Sequence, residues 1–256
     1  MKTVLLAGGL GTRLKEETEV KPKPMVMVGN YPILWHIMKF YAENNFRDFV
    51  ICAGFKGEVI QEYFKNFQDL NTDLTIKTGE NFSMERHNVV QEDWQVTISN
   101  TGKDTPTGGR LFKIQKYLNG ERFLCTYGDG VSNVNLNELL RFHIKHGKIA
   151  TLTAVRPPSR FGQLKIGRND FVDRFEEKPE GENWVNGGFF VFEPEIFKFI
   201  ELNSVLEDDV LTNLAKVGEL KAFKHYDFWQ PMDTYREFTI LNQMWDQEKA
   251  PWKIWK

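Results

Sequence analysis

Arg13 and Lys23 stand close together near the start of the chain, in the stretches LLAGGLGTRL (5–14) and EVKPKPMVMVG (19–29). Gly8, Gly9 and Gly11 leave backbone N–H groups open to close approach by a phosphate, and Thr12 adds a hydroxyl. The guanidinium of Arg13 presents five donors in a planar fork that suits a polyphosphate. Lys23 lies between Pro22 and Pro24, which predicts extended backbone and a low entropy cost for holding its ammonium at one point. These are groups that neutralise a polyanion. A tight turn with a surface arginine, followed by a solvated lysine in a stiff loop, is the other reading of the same residues.

Two better-known phosphate loops are excluded. The dinucleotide fingerprint G-x-G-x-x-G needs a third glycine where this chain has Leu14, and a carboxylate at the tip of the second strand, where it has CAGFKG. A Walker loop needs Lys-Ser or Lys-Thr after the glycines, and neither follows.

Carboxylates provide the second kind of chemistry. Asp129, in ERFLCTYGDG, follows an apolar run, where α/β sheets gather ligands. Asp233, in FWQPMDT, also follows a strand-like run. Two such groups can hold Mg²⁺, which prefers oxygen and keeps waters and substrate phosphates in its shell. Equally, Asp129 is a turn residue and Asp233 an N-cap for a helix over 234–247. The five histidines form no metal spacing; His143 and His146 are assigned to packing and surface.

The elements that must position these groups alternate along the chain. Apolar runs at 2–7, RDFVICAG, WQVTISNTG, ERFLCTYGDG and IATLTAV read as strands. Helical periodicity covers 32–44, 57–67, 109–118 and 135–146. This rhythm predicts an α/β fold with a mixed, mostly parallel central sheet. The second half adds a strand-turn-strand around Arg168-Asn169-Asp170, a strand in WVNGGFFVFEP, and helices near 194–201, 207–217 and 234–247. One unit of 256 residues is expected, in three parts: about 1–130, a β-rich part over about 131–235, and a C-terminal helix and tail over about 236–256. Residues 81–100 read as an insertion. Net charge is −2, so no basic excess points to nucleic acid or membrane. Cys52 and Cys125, both in apolar runs, read as buried thiols of a reducing compartment. With no signal pattern or membrane-length apolar run, a cytoplasmic protein is expected. The tryptophan-rich tail MWDQEKAPWKIWK is expected to pack on its own body or on a second subunit.

LAGGLGTRL…KPKPMV resembles the signature of the sugar-1-phosphate nucleotidylyltransferases, and the resemblance runs on through YGDG, EEKP, NGGFFVF and FWQPMDT. Lys15-Glu16-Glu17 replaces the commoner Pro-Leu, as in the cytidylyltransferase branch. The resemblance implies a Rossmann-like nucleotidyltransferase fold, and transfer of a cytidylyl group from CTP to α-D-glucose 1-phosphate with release of pyrophosphate. It implies Mg²⁺ on Asp129 and Asp233, Arg13 on the triphosphate and leaving pyrophosphate, and Lys23 on the phosphate of the bound substrate or product. Leu6, Ala7, Gly8, Gly9, Leu10, Gly11, Thr12, Gly128, Thr105, Thr107 and Gly108 would surround the nucleotide. Arg110 would select cytosine by donating to O2 and N3, leaving its donors opposed by the N3–H of uracil. Lys178 would hold the sugar phosphate and Glu177 and Asn186 the sugar hydroxyls, with Gly188 allowing close approach, so that about 1–130 would be the nucleotide-binding part and about 131–235 the sugar-binding part. The resemblance further implies a homohexamer and supply of CDP-dideoxysugar for O-antigen polysaccharide. A uridylyl- or thymidylyltransferase of the same family, or a silent nucleotide-sugar-binding regulator, is the competing reading.

Overall fold

The computed structural model describes residues 1–9, 11, 14–89, 91–157, 163–176 and 183–255. Leu10, Thr12, Arg13, Glu177 and Lys178, all candidate site residues, lie outside that set. An eight-stranded sheet forms the frame: β1 (Lys2–Ala7), β2 (Asp48–Ala53), β3 (Gln95–Asn100), β4 (Phe123–Tyr127), β5 (Ala150–Val155), β6 (Val185–Asn186), β7 (Phe190–Phe192) and β8 (Leu220–Lys224). Strands β3, β2, β1 and β4 pair parallel in that order. β7 enters antiparallel between β4 and β5, β6 pairs antiparallel with the far end of β5, and β8 lies parallel on β5.

Period-two alternation explains why the sheet is covered on both faces. Along β1, Leu5 and Ala7 join one core while Val4 and Leu6 join the other. Phe49 and Ile51 of β2 face the first core, Val50 and Cys52 the second. Burial in the second core also pushes the Cys52 thiol up to about 12, so both cysteines are inert buried thiols, as expected.

Helix α1 (Ile33–Glu43) buries nine of its eleven residues, so it is apolar nearly all round rather than amphipathic. The aromatic tail closes over it. His36 Nε2 donates to Val28 O at 2.8 Å and its Nδ1 accepts from the indole N–H of the fully buried Trp252 at 3.3 Å. Trp245 stands edge-on to the same imidazole, and a Cβ on Gly29 would lie 2.0 Å from its indole nitrogen. The tail therefore packs on its own body. A later helix, α2 (Leu136–His146), is capped by Asn135, which accepts from Glu138 N at 3.0 Å, and ends at Gly147 with φ of 61°. His143 and His146 of this helix serve packing: His143 Nε2 donates to Glu193 Oε1, Thr151 joins the two imidazoles, and His146 Nδ1 accepts from Lys148 N.

The region read as an insertion is divided. Asp73–Lys77 and Ser83–His87 form a separate antiparallel hairpin, whereas 95–100 is the edge strand of the main sheet. Gln163–Ile166 and Val172–Glu176 form the second hairpin, turning at Arg168–Asp170 as expected. Among the described residues no helix is long and apolar enough to cross a membrane.

Candidate active site

The carboxyl ends of β1 and β4 open into a cavity of about 410 Å³. Leu6, Ala7, Gly8, Gly9, Gly11, Lys23, Thr105, Thr107, Arg110 and Gly128 line it, so ten of the expected nucleotide-side residues converge there. A second cavity of about 800 Å³ adjoins it and includes Asn186, Gly187 and Trp229 in its wall. Tyr127, Asp129 and Asp233 line both.

Lys23 lines the first cavity and reaches the two carboxylates that both cavities share. Its residues form a short 3-10 turn, Lys23–Met25, closed by Met25 N donating to Pro22 O at 2.8 Å. The expected extended backbone thus holds for Pro22 but not for Lys23; Pro24 sits in the first turn, where its missing N–H costs nothing. The side chain is only 10% exposed, and Nζ donates to Asp129 Oδ2 at 2.7 Å and to Asp233 Oδ1 at 2.5 Å. Burial is the largest influence on this ammonium and opposes its charge. The attraction and hydrogen bonds of Asp129 and Asp233 together outweigh it, and the pKa is raised. Gly11, at φ of 64°, carries the loop past Lys23: a Cβ there would touch Thr18 Cγ2 at 3.0 Å and Lys23 Cβ at 3.1 Å.

The two carboxylates come from distant parts of the chain. Gly130–Ser132 pairs antiparallel with Trp229–Pro231, and Met232 N donates to Asp129 O at 2.8 Å. That short ladder brings Asp129 and Asp233 to the same ammonium. Helix α3 (Tyr235–Asp246) begins with a capping box, but its cap is Thr234 rather than Asp233. The Asp233 N–H instead donates to Glu237 Oε2 at 2.8 Å. Asp129 does sit in the turn after β4, so the turn and ligand readings are compatible. Among the described residues no cluster of three or more His, Cys, Asp or Glu side chains is placed to hold a metal. A pair of carboxylates suits a hard cation that fills its shell with water and substrate phosphate, which is the behaviour of Mg²⁺.

Arg110 has a different environment from the one expected. It is 4% exposed. Nη1 donates to Thr101 Oγ1 at 2.6 Å and Gly102 O at 2.8 Å; Nη2 donates to Gly8 O at 2.9 Å and Lys103 O at 3.1 Å. All four terminal N–H groups are thereby committed to the loops after β1 and β3, and burial lowers its pKa. Gly8 lacks a side chain for this contact, since a Cβ would lie 2.0 Å from Nη1. Gly108 likewise faces the protein: its Cβ would lie 2.6 Å from Ser204 O. Thr105 donates to Thr101 O at 2.6 Å, and Thr107 to Glu207 Oε2 at 2.6 Å.

At the second cavity, Asn186 Nδ2 donates to the Tyr127 hydroxyl at 3.0 Å and its Oδ1 accepts from Gly188 N at 3.0 Å. Gly188, at φ of 76°, packs on the Tyr127 ring. Sequence reasoning missed Tyr127 and Glu207. Tyr127 lies inside the YGDG motif and was legible there; no local signal marks Glu207.

The sequence matches the nucleotidyl transferase family over residues 2–230. It is 51% identical over 259 residues to glucose-1-phosphate cytidylyltransferase of Salmonella typhimurium and 50% identical to that of Salmonella typhi, with all of each chain covered. The solved structure of apo UDP-glucose pyrophosphorylase superimposes with a TM-score of 0.68 over 97% of this chain and 98% of that one; at 14% identity this is a likeness of fold. The chain belongs to the nucleotidyl transferase family.

Proposed function

We propose that this protein transfers a cytidylyl group from CTP to α-D-glucose 1-phosphate, giving CDP-glucose and pyrophosphate. The observation that carries the chemistry is the meeting of two cavities at one buried ammonium and two carboxylates. The choice of substrates rests on the two Salmonella relatives, each aligned over its full length.

CTP occupies the first cavity, with its phosphates along Gly8, Gly9 and Gly11; the family resemblance gives Arg13 as the partner of the triphosphate. Glucose 1-phosphate occupies the second, against Asn186; the family resemblance gives Gly188, Glu177 and Lys178 as its further partners. One oxygen of the sugar phosphate attacks the α-phosphorus in line. A new P–O bond forms, the bond to the β-phosphate oxygen breaks, and pyrophosphate leaves with that electron pair. The nucleophile is already anionic near neutral pH, since the second pKa of a phosphomonoester is about 6. The protein therefore needs no strong base; it must hold two polyanions together and offset their charge. Lys23 does this beside the α-phosphate. Asp129 and Asp233 are the groups that would hold Mg²⁺, which supplies further neutralisation of the triphosphate when bound. Arg110 secures the loops that shape the nucleotide side, and only its Nε–H is left outside the four terminal contacts.

Pyrophosphate release with CTP, UTP and dTTP, each with glucose 1-phosphate, tests the reading. CTP is expected to be turned over fastest. Equal rates with UTP would refute the choice of base, and no release with any of them would refute the activity.

A further inference from the structure

A carboxylate outside the nucleotide and sugar motifs joins the walls of the two cavities. Glu207 belongs to the π-helical turn Leu206–Val210. Its Oε2 accepts from Thr107 Oγ1 at 2.6 Å, and its Oε1 accepts from the Tyr127 hydroxyl at 2.7 Å. Thr107 lines the first cavity, Tyr127 lines both, and Asn186 lines the second. Asn186 is in turn bound to Tyr127 and to the backbone of Gly188. A single carboxylate thus binds two wall residues directly and reaches a third through Tyr127, the three coming from separate elements.

The turn carrying Glu207 is firmly seated. Gly109 N donates to Ser204 O at 3.1 Å, and Leu206 N donates to Thr107 Oγ1 at 2.9 Å. A Cβ on Gly109 would lie 2.0 Å from Leu202 O, so the glycine pair of the TPTGGR stretch fits this turn against the start of the helix Thr107–Ile114. Short π-helical turns concentrate at functional sites.

Donor counting fixes every proton in the network. A carboxylate only accepts, so Thr107 and Tyr127 both direct their hydroxyl protons at Glu207. The Tyr127 oxygen is left as an acceptor for Asn186. The Asn186 amide is therefore held with its nitrogen toward Tyr127 and its oxygen on Gly188, and keeps one N–H for a substrate hydroxyl. Burial, reinforced by Glu207, pushes the Tyr127 phenol far above its usual range, so the tyrosine stays neutral.

We propose that Glu207 is a positioning residue for the transfer, setting Thr107 on the nucleotide side and Tyr127 and Asn186 on the sugar side in one register so that the substrates meet in line. The proposal rests on the cytidylyl-transfer reading above. Glu207→Gln keeps the shape but offers one acceptor and two donors, so one of the two hydroxyls must turn away and the amide of Asn186 loses its fixed orientation.

The test is steady-state kinetics of the wild type, Glu207→Gln, Tyr127→Phe and the double variant with CTP and glucose 1-phosphate, together with their melting temperatures. Loss of alignment lowers kcat about tenfold or more, with both KM values within about threefold. Tyr127→Phe is expected to match it, and the double variant to be no worse than the poorer single one, because both break the same link. Should Glu207→Gln not fold, Tyr127→Phe, which removes only a hydroxyl, carries the same test. A kcat within about twofold of wild type, a lowered melting temperature with kcat per folded molecule unchanged, or losses that multiply would each overturn the proposal alone. A wild type that releases no pyrophosphate overturns the transfer reading and this proposal with it.

Discussion

Replacing Lys23 by Met removes the ammonium and keeps most of the stem. In the wild type that ammonium touches two carboxylates, at 2.7 and 2.5 Å. Each contact is attractive by about 6 kcal/mol at an effective dielectric constant of about 20. Desolvation of a largely buried ammonium takes back several kcal/mol. The Asp129 and Asp233 side chains are 33% and 27% exposed, so water screens part of what remains. The net loss, with two like charges left facing each other, is about 2 kcal/mol. For a chain of this length that lowers Tm by about 5 °C. Turnover is expected to fall further, by about 10²-fold or more, because the proposed transfer puts this cation where charge develops in the transition state. Differential scanning calorimetry and pyrophosphate release measure the two effects. A Lys23→Met protein with unchanged or raised Tm would refute the assignment of this ion triad as a stabilising contact. Turnover within about tenfold of wild type would refute its place at the reacting phosphorus.

Three further outcomes follow from the same structure. Burial holds His36 and His143 near pKa 4, below their ordinary value, so the unfolded chain takes up protons first as pH falls. Stability is flat above about pH 6.5 and declines toward pH 4, by about 2 kcal/mol per histidine at about pH 5, and urea denaturation at about pH 7.5 and about pH 5 should show a smaller difference for His143→Gln. Arg110→Lys keeps the charge but cannot reproduce a four-contact fork, so it should raise KM for CTP about tenfold and lower Tm; an unchanged KM would place the loops it ties outside nucleotide binding. Trp252→Ala empties a fully buried site beside His36 and should cost about 3 kcal/mol or more in urea denaturation, whereas a loss under about 1 kcal/mol would mean the tail is not anchored there.

Local features were the legible ones. β1 and its glycines, Asn135 with Gly147, and the apolar run of α1 each write their structure into a few adjacent residues. The convergence of Lys23, Asp129 and Asp233 was legible only as motifs, because the ladder that unites them pairs residues about a hundred positions apart. Thr234 rather than Asp233 caps α3 because Glu237 stands three residues beyond it and completes the reciprocal box. Arg110 could be read as a base selector from its type and place in the motif. Its commitment to Gly8, Thr101, Gly102 and Lys103 depends on three chain segments meeting, which no window of sequence reports. Glu207 escaped for the same reason: its partners come from two other segments, and an acidic residue before an apolar run looks like a solvated helix start.

The proposed transfer is direct, between substrates placed side by side across Lys23, Asp129 and Asp233. The most direct measurement is the stereochemical course with CTP made chiral by sulfur at the α-phosphate, followed by ³¹P NMR of the CDP-glucose formed with glucose 1-phosphate. A single in-line displacement gives inversion at the α-phosphorus. Retention, the mark of two displacements through a nucleotidyl-enzyme, or the absence of CDP-glucose, would contradict it.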